Sequence, residues 1–241
     1  MTSWTDEYRE VVTYYFWEPN HLRPRAGWPA GAGPKAEQMW RHVSRLEVAT
    51  NHMLNLYFTL VPFAELNRVG AWVAEDNYEL LSSTSLRAAS DGFRTFTQPD
   101  LYLRGDRMDL ALELKTSTRT SVDQVSKYIG FQGLYAPGRP WTLLYVTPSS
   151  TVGAVVKDAS SLEAALAATT CPAVKTPRLA EALSASWDDA RAAATIKAIT
   201  FDDLAAVIEE LRKNEVSPVA QRVHAGLLTW LRDRWCDARA S

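Results

Sequence analysis

The sequence predicts an α/β fold, a small mixed central sheet flanked by helices and followed by a helical C-terminal extension. Three observations carry this. Met108, Leu110, Leu112 and Leu114 alternate with Asp109, Ala111, Glu113 and Lys115, the period of two expected of a strand with one face in the core. Trp141 to Val146 is apolar except for Thr142, as in an interior strand covered on both faces. Trp40, Val43, Leu46, Met53, Leu54, Tyr57 and Leu60 recur at helical spacing, and no proline or glycine interrupts Lys35 to Leu60.

In chain order, Glu7 to Trp17 is aromatic and reads as a docked element of open type. Pro19 to Pro34 holds four prolines and three glycines and reads as a loop. One long helix covers Lys35 to Leu60, and residues 61–97 stay open between short helices and strands. Leu101 to Arg104 is a strand, Gly105-Asp106 a turn, and Met108 to Thr116 a second strand. A helix from Ser121 to about Tyr135 buries Val122, Val125 and Ile129, and Pro137-Gly138 and Pro140 end it. The remainder is alanine-rich and reads as helical. Thr176-Pro177 and Ser217-Pro218 mark helix starts, and Thr200 with Asp203 resembles a capping box before Leu204 to Leu211. Val219, Val223, Leu227, Leu231 and Trp235 give the last helix one apolar face. This divides the chain into an N-terminal segment and loop (1–34), a core (35–150) and a helical C-terminal region packed on it (151–241).

The 241 residues suffice for one sizeable core, and 46% hydrophobic and 22% charged residues are ordinary for a globular protein. A net charge of −2 argues against a non-specific polyanion binder and leaves room for a small basic cleft. Cys171 and Cys236 have no metal-ligand spacing, so a disulfide framework and a cysteine-ligated zinc are not expected. His21, His42, His52 and His224 form no metal-binding pattern, and no phosphate loop of the GxxxxGK[ST] type is present. The polar N-terminus and the lack of a long apolar run predict no signal peptide, no membrane span and a cytoplasmic location.

The chemistry concentrates between Pro99 and Tyr128. Glu113 and Lys115 project from one face of their strand, about 6–7 Å apart along it. Asp100 opens the neighbouring strand, so a short hairpin brings its carboxylate beside Glu113. Two carboxylates and an ammonium converging on one patch suit phosphodiester hydrolysis. Carboxylates hold Mg²⁺ while leaving positions open for water and a phosphate oxygen, the metal activates its bound water, and the lysine orients that water or stabilises charge on phosphorus. The Leu114 carbonyl could add a further oxygen ligand.

Pro99-Asp100, Glu113-Leu114-Lys115 and the twelve residues between Asp100 and Glu113 resemble the signature of the PD-(D/E)xK nuclease superfamily. Gln124-Val125-Ser126-Lys127-Tyr128 is similar to the Gln-hydrophobic-x-x-Tyr motif of its RecB-like branch, with Gln124 and Tyr128 on one helix face. The resemblance covers residues 40–148. It implies a restriction-endonuclease-like core and a Mg²⁺-dependent nuclease in which Mn²⁺ can substitute. Asp100, Glu113 and Leu114 would ligate the metal, Lys115 would act on the water, and Gln124 and Tyr128 would support the site. An upstream acid is also implied. Glu47 is the candidate, with Glu37 and Glu65 as rivals. Arg104, Arg107, Arg119 and Lys127 are read as clustering around the site as phosphate contacts. The implied partner is nucleic acid, DNA ahead of RNA, in defence, restriction or mobile-element biology by analogy alone.

Each motif alone is weak. An E-x-K strand is usually a solvated face with an ion pair, and Pro-Asp is usually a turn. Agreement of order, spacing and element type favours the nuclease reading. Its rivals are a catalytically silent nucleic-acid-binding module on the same fold and a protein-interaction module built on the C-terminal helices. A homodimer through Trp230 and Trp235, and an activating protein partner, stay open.

Overall fold

The computed structural model describes residues 4–5, 47–81, 97, 99–116 and 119–236, with Glu47 and Val48 described in their backbone only. The expected aromatic N-terminal element, the proline-rich loop and the first part of the long helix lie outside the described residues. The helices are α1 (Glu47–Leu60), α2 (Phe63–Gly70), α3 (Val122–Tyr135), α4 (Leu162–Ala167), α5 (Pro177–Ala192), α6 (Phe201–Asn214) and α7 (Pro218–Arg234). The strands are β1 (Glu79–Leu80), β2 (Leu101–Arg104), β3 (Asp109–Leu114), β4 (Trp141–Thr147) and β5 (Ala194–Thr200).

The five strands form one mixed sheet in sequential order, β1 to β5. β1, β2 and β3 are antiparallel neighbours, whereas β3, β4 and β5 run parallel. Parallel strands need a crossover, and α3 supplies the first, between β3 and β4. On one face Leu101, Leu103, Leu110, Leu112, Leu114, Leu144, Val146 and Ile199 pack against α1, α2, α6 and α7. On the other, Tyr102, Ala111, Trp141, Leu143, Tyr145 and Ile196 pack against α3, α4 and α5. The chain is thus a mixed α/β protein with a helix-flanked sheet and a helical C-terminal part. No helix among the described residues is long and apolar enough to cross a membrane.

Several elements follow directly from local chemistry. Ser121 accepts from the Gln124 amide and starts α3, and Thr200 and Asp203 make a reciprocal capping box at α6. Ser217 caps α7 with Pro218 behind it, while Thr176 precedes α5 without a side-chain cap bond. In the β2–β3 connection the Gly105 amide donates to the Met108 carbonyl, and Asp76 Oδ2 accepts from the amides of Arg107 and Met108. A Cβ at Gly105 would lie 2.5 Å from that carboxylate and from the Met108 carbonyl oxygen, so only glycine fits.

The structure departs from the sequence expectation in three places. β3 is buried on both faces rather than one, because α3 covers the face carrying Asp109 and Glu113. The region after residue 151 is not wholly helical. β5 pairs with β4 along its whole length, from Trp141↔Ala194 to Thr147↔Thr200. Alanine enrichment masked its β-branched residues Thr195, Ile196, Ile199 and Thr200. Val219, the first residue of the last helix's expected stripe, is 65% exposed, although Leu227 and Leu231 are fully buried. Trp230 and Trp235 turn their indole N–H groups inward, where both donate to Thr50 Oγ1, at 3.3 and 2.7 Å, as packing residues do.

His224 on α7 is 4% exposed, and its Nδ1 lies 2.8 Å from the Tyr57 hydroxyl. Burial lowers its pKa below the ordinary 6.5, against the pull of Glu215 and Glu65. The unfolded chain then takes the proton first, so this contribution to stability is present above about 6.5 and is lost as the pH falls below it. We predict that Tm drops between pH 8 and pH 5 and that His224→Gln drops less. Equal declines in the two proteins would show that this histidine is not a source of acid sensitivity.

Candidate active site

One face of β3 carries Asp109, Ala111 and Glu113, with Lys115 just beyond its end. That face is covered by α3, so each charge is taken from water and must find partners. The two ends of the strand solve this differently.

At the hairpin end, Asp109 is fully buried. It accepts from the Tyr102 hydroxyl at 2.7 Å, from Gln132 Nε2 at 3.2 Å, and from Arg139 Nε and its terminal nitrogen at 3.2 and 3.1 Å. Arg104 approaches the same carboxylate at 3.8 Å and stacks over the Tyr135 ring. The Tyr102 hydroxyl lies 2.8 Å from the Gln132 carbonyl oxygen as well. This network is closed and ties β2, β3 and the end of α3 together.

At the other end the groups named by the signature come together. Asp100 lies beside the end of β3, where its Oδ2 accepts from the Leu114 amide at 2.8 Å. Its Oδ1 accepts from Asn51 Nδ2 on α1 at 2.9 Å, and Asn55 Nδ2 donates to Asn51 Oδ1 at 2.6 Å. Lys115 Nζ donates to Glu113 Oε1 at 2.6 Å, with the two side chains 14% and 7% exposed. Tyr128, from α3, is hydrogen-bonded to Glu113 and to Gln124. Burial first, then the Glu113 charge, holds its phenol far above the ordinary range and therefore neutral. Gln124 Nε2 also reaches Thr97 Oγ1 at 3.3 Å. Helical spacing puts Gln124 and Tyr128 on one face of α3, and that face lies over Glu113.

The other expected residues are placed less favourably. Arg104 and Arg107 belong to the hairpin end, roughly 13 Å along the strand from Asp100 at about 3.3 Å per residue. They do not cluster around the site. Arg104 serves Asp109, and Arg107 binds the Glu75 carbonyl and Asp76. Arg119 is exposed just before α3. Lys127 sits on α3 in an ion pair with Asp123 at 2.6 Å. Glu65 pairs loosely with Arg68 at 3.9 Å and acts on His224. Glu37 lies outside the described residues. Glu47 opens α1, one turn before Asn51 on the same helical face, and its side chain is outside the described residues.

Asn51, Thr97, Thr120 and Tyr145 were not expected from sequence. Asn51 had one available signal, a polar residue one turn after Glu47 in an amphipathic helix. A cavity of about 480 Å³ lies elsewhere, lined by Asn67, Arg68, Glu75, Asp76, Asp106 and Arg107 among others. Its most buried acid, Asp76, is consumed by backbone amides of the hairpin, which pull its pKa down despite burial, so no reactive group converges there.

Among the described residues no cluster of three or more His, Cys, Asp or Glu side chains could hold a metal. Asp100 and Glu113 supply two carboxylates. A strand residue sends its N–H and C=O to the same edge, so the Leu114 carbonyl leaves β3 on the side of Asp100. These are hard oxygen donors, and each carboxylate oxygen has more than one acceptor position. The set fits Mg²⁺, which is commonly held by one or two carboxylates and keeps several waters.

The contrast between the ends is testable. Asp109→Ala leaves Arg139, Tyr102 and Gln132 without their buried partner and should cost about 3–5 kcal/mol of stability in urea unfolding. A loss below about 1 kcal/mol would mean that the hairpin end does not depend on this carboxylate.

In comparisons with known proteins, no family model, no curated protein and no solved structure matches the chain.

Proposed function

We propose that this chain is a Mg²⁺-dependent nuclease of the PD-(D/E)xK type with a restriction-endonuclease-like core. It would hydrolyse phosphodiester bonds of nucleic acid, DNA in preference to RNA. The observation that supports this most strongly is the meeting of Asp100, Glu113, Lys115, Gln124 and Tyr128 at one end of β3. A merely solvated E-x-K strand would leave these groups exposed and apart. Here Glu113 is buried and joined to the mostly covered Lys115, and the helix bearing the Gln/Tyr pair lies over Glu113.

In this reading Asp100 and Glu113 would hold the cation with the Leu114 carbonyl. The bound metal would polarise the phosphate and lower the pKa of the attacking water. Asn51 fixes Asp100 by donating to one oxygen while the Leu114 amide donates to the other. Lys115 would orient the water and stabilise charge developing on the phosphate oxygens. Tyr128, neutral throughout, donates to Glu113 and keeps its carboxylate turned toward the site, and Gln124 steadies Tyr128. Arg119 and Lys127, just before and on α3, would be the cations offered to substrate phosphates, Lys127 after leaving Asp123. Glu47 is the proposed upstream acid, on the helical face whose next turn reaches Asp100.

The test is incubation with linear duplex, closed circular and single-stranded DNA and with RNA, in Mg²⁺, Mn²⁺ or EDTA. Wild type should give metal-dependent products, and Lys115→Ala should be slower by about 100-fold or more. Nucleic acid bound but left intact under every metal condition would reject catalysis and assign the silent binding module. Neither binding nor cleavage would reject both.

A further inference from the structure

Tyr145 is the cross-strand partner of Glu113 in the parallel β3–β4 ladder. Paired residues of neighbouring strands project from the same face, so the Tyr145 ring lies beside Glu113 under α3. Tyr145 is fully buried and Thr120, at the approach to α3, is 3% exposed. The hydroxyls of Tyr145 and Thr120 are both buried without a hydrogen-bond partner. They face each other closely enough for Thr120 to pull the Tyr145 pKa down, against burial, which raises it most, and the Glu113 charge, which raises it as well. Thr120 is held by its backbone, its amide donating to Val155 and its carbonyl accepting from Lys157.

A buried hydroxyl without a partner is destabilising, and a phenylalanine and a valine would fill the same space without that cost. Two such hydroxyls side by side against the proposed metal-binding carboxylate point to a use outside the resting arrangement. In that arrangement Glu113 Oε1 is taken by Lys115. Carboxylates that bind a cation are themselves held by further hydrogen-bond donors, and such donors are worth 10–100-fold in metal affinity. Tyr128 is one donor already in place, and its hydroxyl senses Tyr145 as well as Glu113.

Resting on the nuclease reading above, we propose that Tyr145 is a positioning residue of the carboxylate centre. Its hydroxyl donates to Glu113 when that carboxylate turns from Lys115 to a divalent cation, and Thr120 donates in turn to the Tyr145 oxygen. The relay runs Thr120 to Tyr145 to Glu113, uses each hydroxyl proton once and moves none of them between residues. It assigns a role to the two polar atoms that the resting hydrogen-bond network leaves over.

The experiment is titration of the full chain with Mn²⁺ by calorimetry, beside thermal melts without metal. Wild type, Tyr145→Phe, Thr120→Val and, as a control, Tyr102→Phe are compared. Tyr145→Phe should melt at or above the wild-type temperature, because the lost hydroxyl makes no bond in the resting fold, and should bind Mn²⁺ about tenfold more weakly. Thr120→Val should weaken binding in the same direction. Tyr102→Phe, which removes a bond to Asp109, should melt lower and keep wild-type Mn²⁺ affinity. Wild-type affinity in Tyr145→Phe overturns the positioning role and leaves the nuclease reading standing. A lower melting temperature in Tyr145→Phe with unchanged binding makes the hydroxyl structural and also overturns it. A wild type that binds no Mn²⁺ removes the metal centre and the inference with it.

Discussion

β3 is a strand buried on both faces that carries Asp109 and Glu113 on one of them, with Lys115 following. Burying an unpaired carboxylate costs several kcal/mol, so the surrounding elements must deliver donors to that face. At Asp109 the donors are an arginine fork, a phenol and an amide, and the network closes on itself. At Glu113 they are Lys115 and Tyr128. The placement of α3 follows from the same requirement, since it supplies Gln132 to one end and Gln124 with Tyr128 to the other.

The two ends differ in what they leave available. Asp109 is enclosed by side chains that also anchor the hairpin, and no reactant could displace them without loosening β2 from β3. The Glu113 end lies where β3 stops, next to Asp100, whose carboxylate substitutes for a strand partner by accepting the Leu114 amide. A strand terminus is where backbone and side-chain oxygens can converge on a ligand without breaking a sheet ladder. The proposed site thus falls at the end of the strand where pairing runs out, and the closed network at the end where the hairpin closes.

Much of this was legible in the sequence because it is local. The alternation of 108–115 fixes which residues share a face, Ser121 fixes the start of α3, and the four-residue spacing of Gln124 and Tyr128 fixes their common side. What sequence could not supply is long-range. Nothing near Leu112 says that both faces of β3 are covered, and nothing in the alanine-rich context of Thr195 to Thr200 says that β4 has an edge to be paired. Arg104 and Arg107 are close to Asp100 along the chain and at the opposite end of the hairpin in space, because antiparallel pairing separates what the turn connects. Asn51, Thr120 and Tyr145 join the site only through tertiary contacts, and no motif marks them.

In the proposed site Asp100, Glu113 and the Leu114 carbonyl would be the ligands of one divalent cation. A crystal structure of the Mn²⁺-soaked protein, with the ion located by its anomalous scattering, tests this most directly. We expect a single strong peak about 2.0–2.2 Å from oxygens of both carboxylates and of the carbonyl, the spacing at which small hard cations are held. No peak at the end of β3, or a peak held by other residues, would contradict the claim and leave the cluster as a structural ion pair.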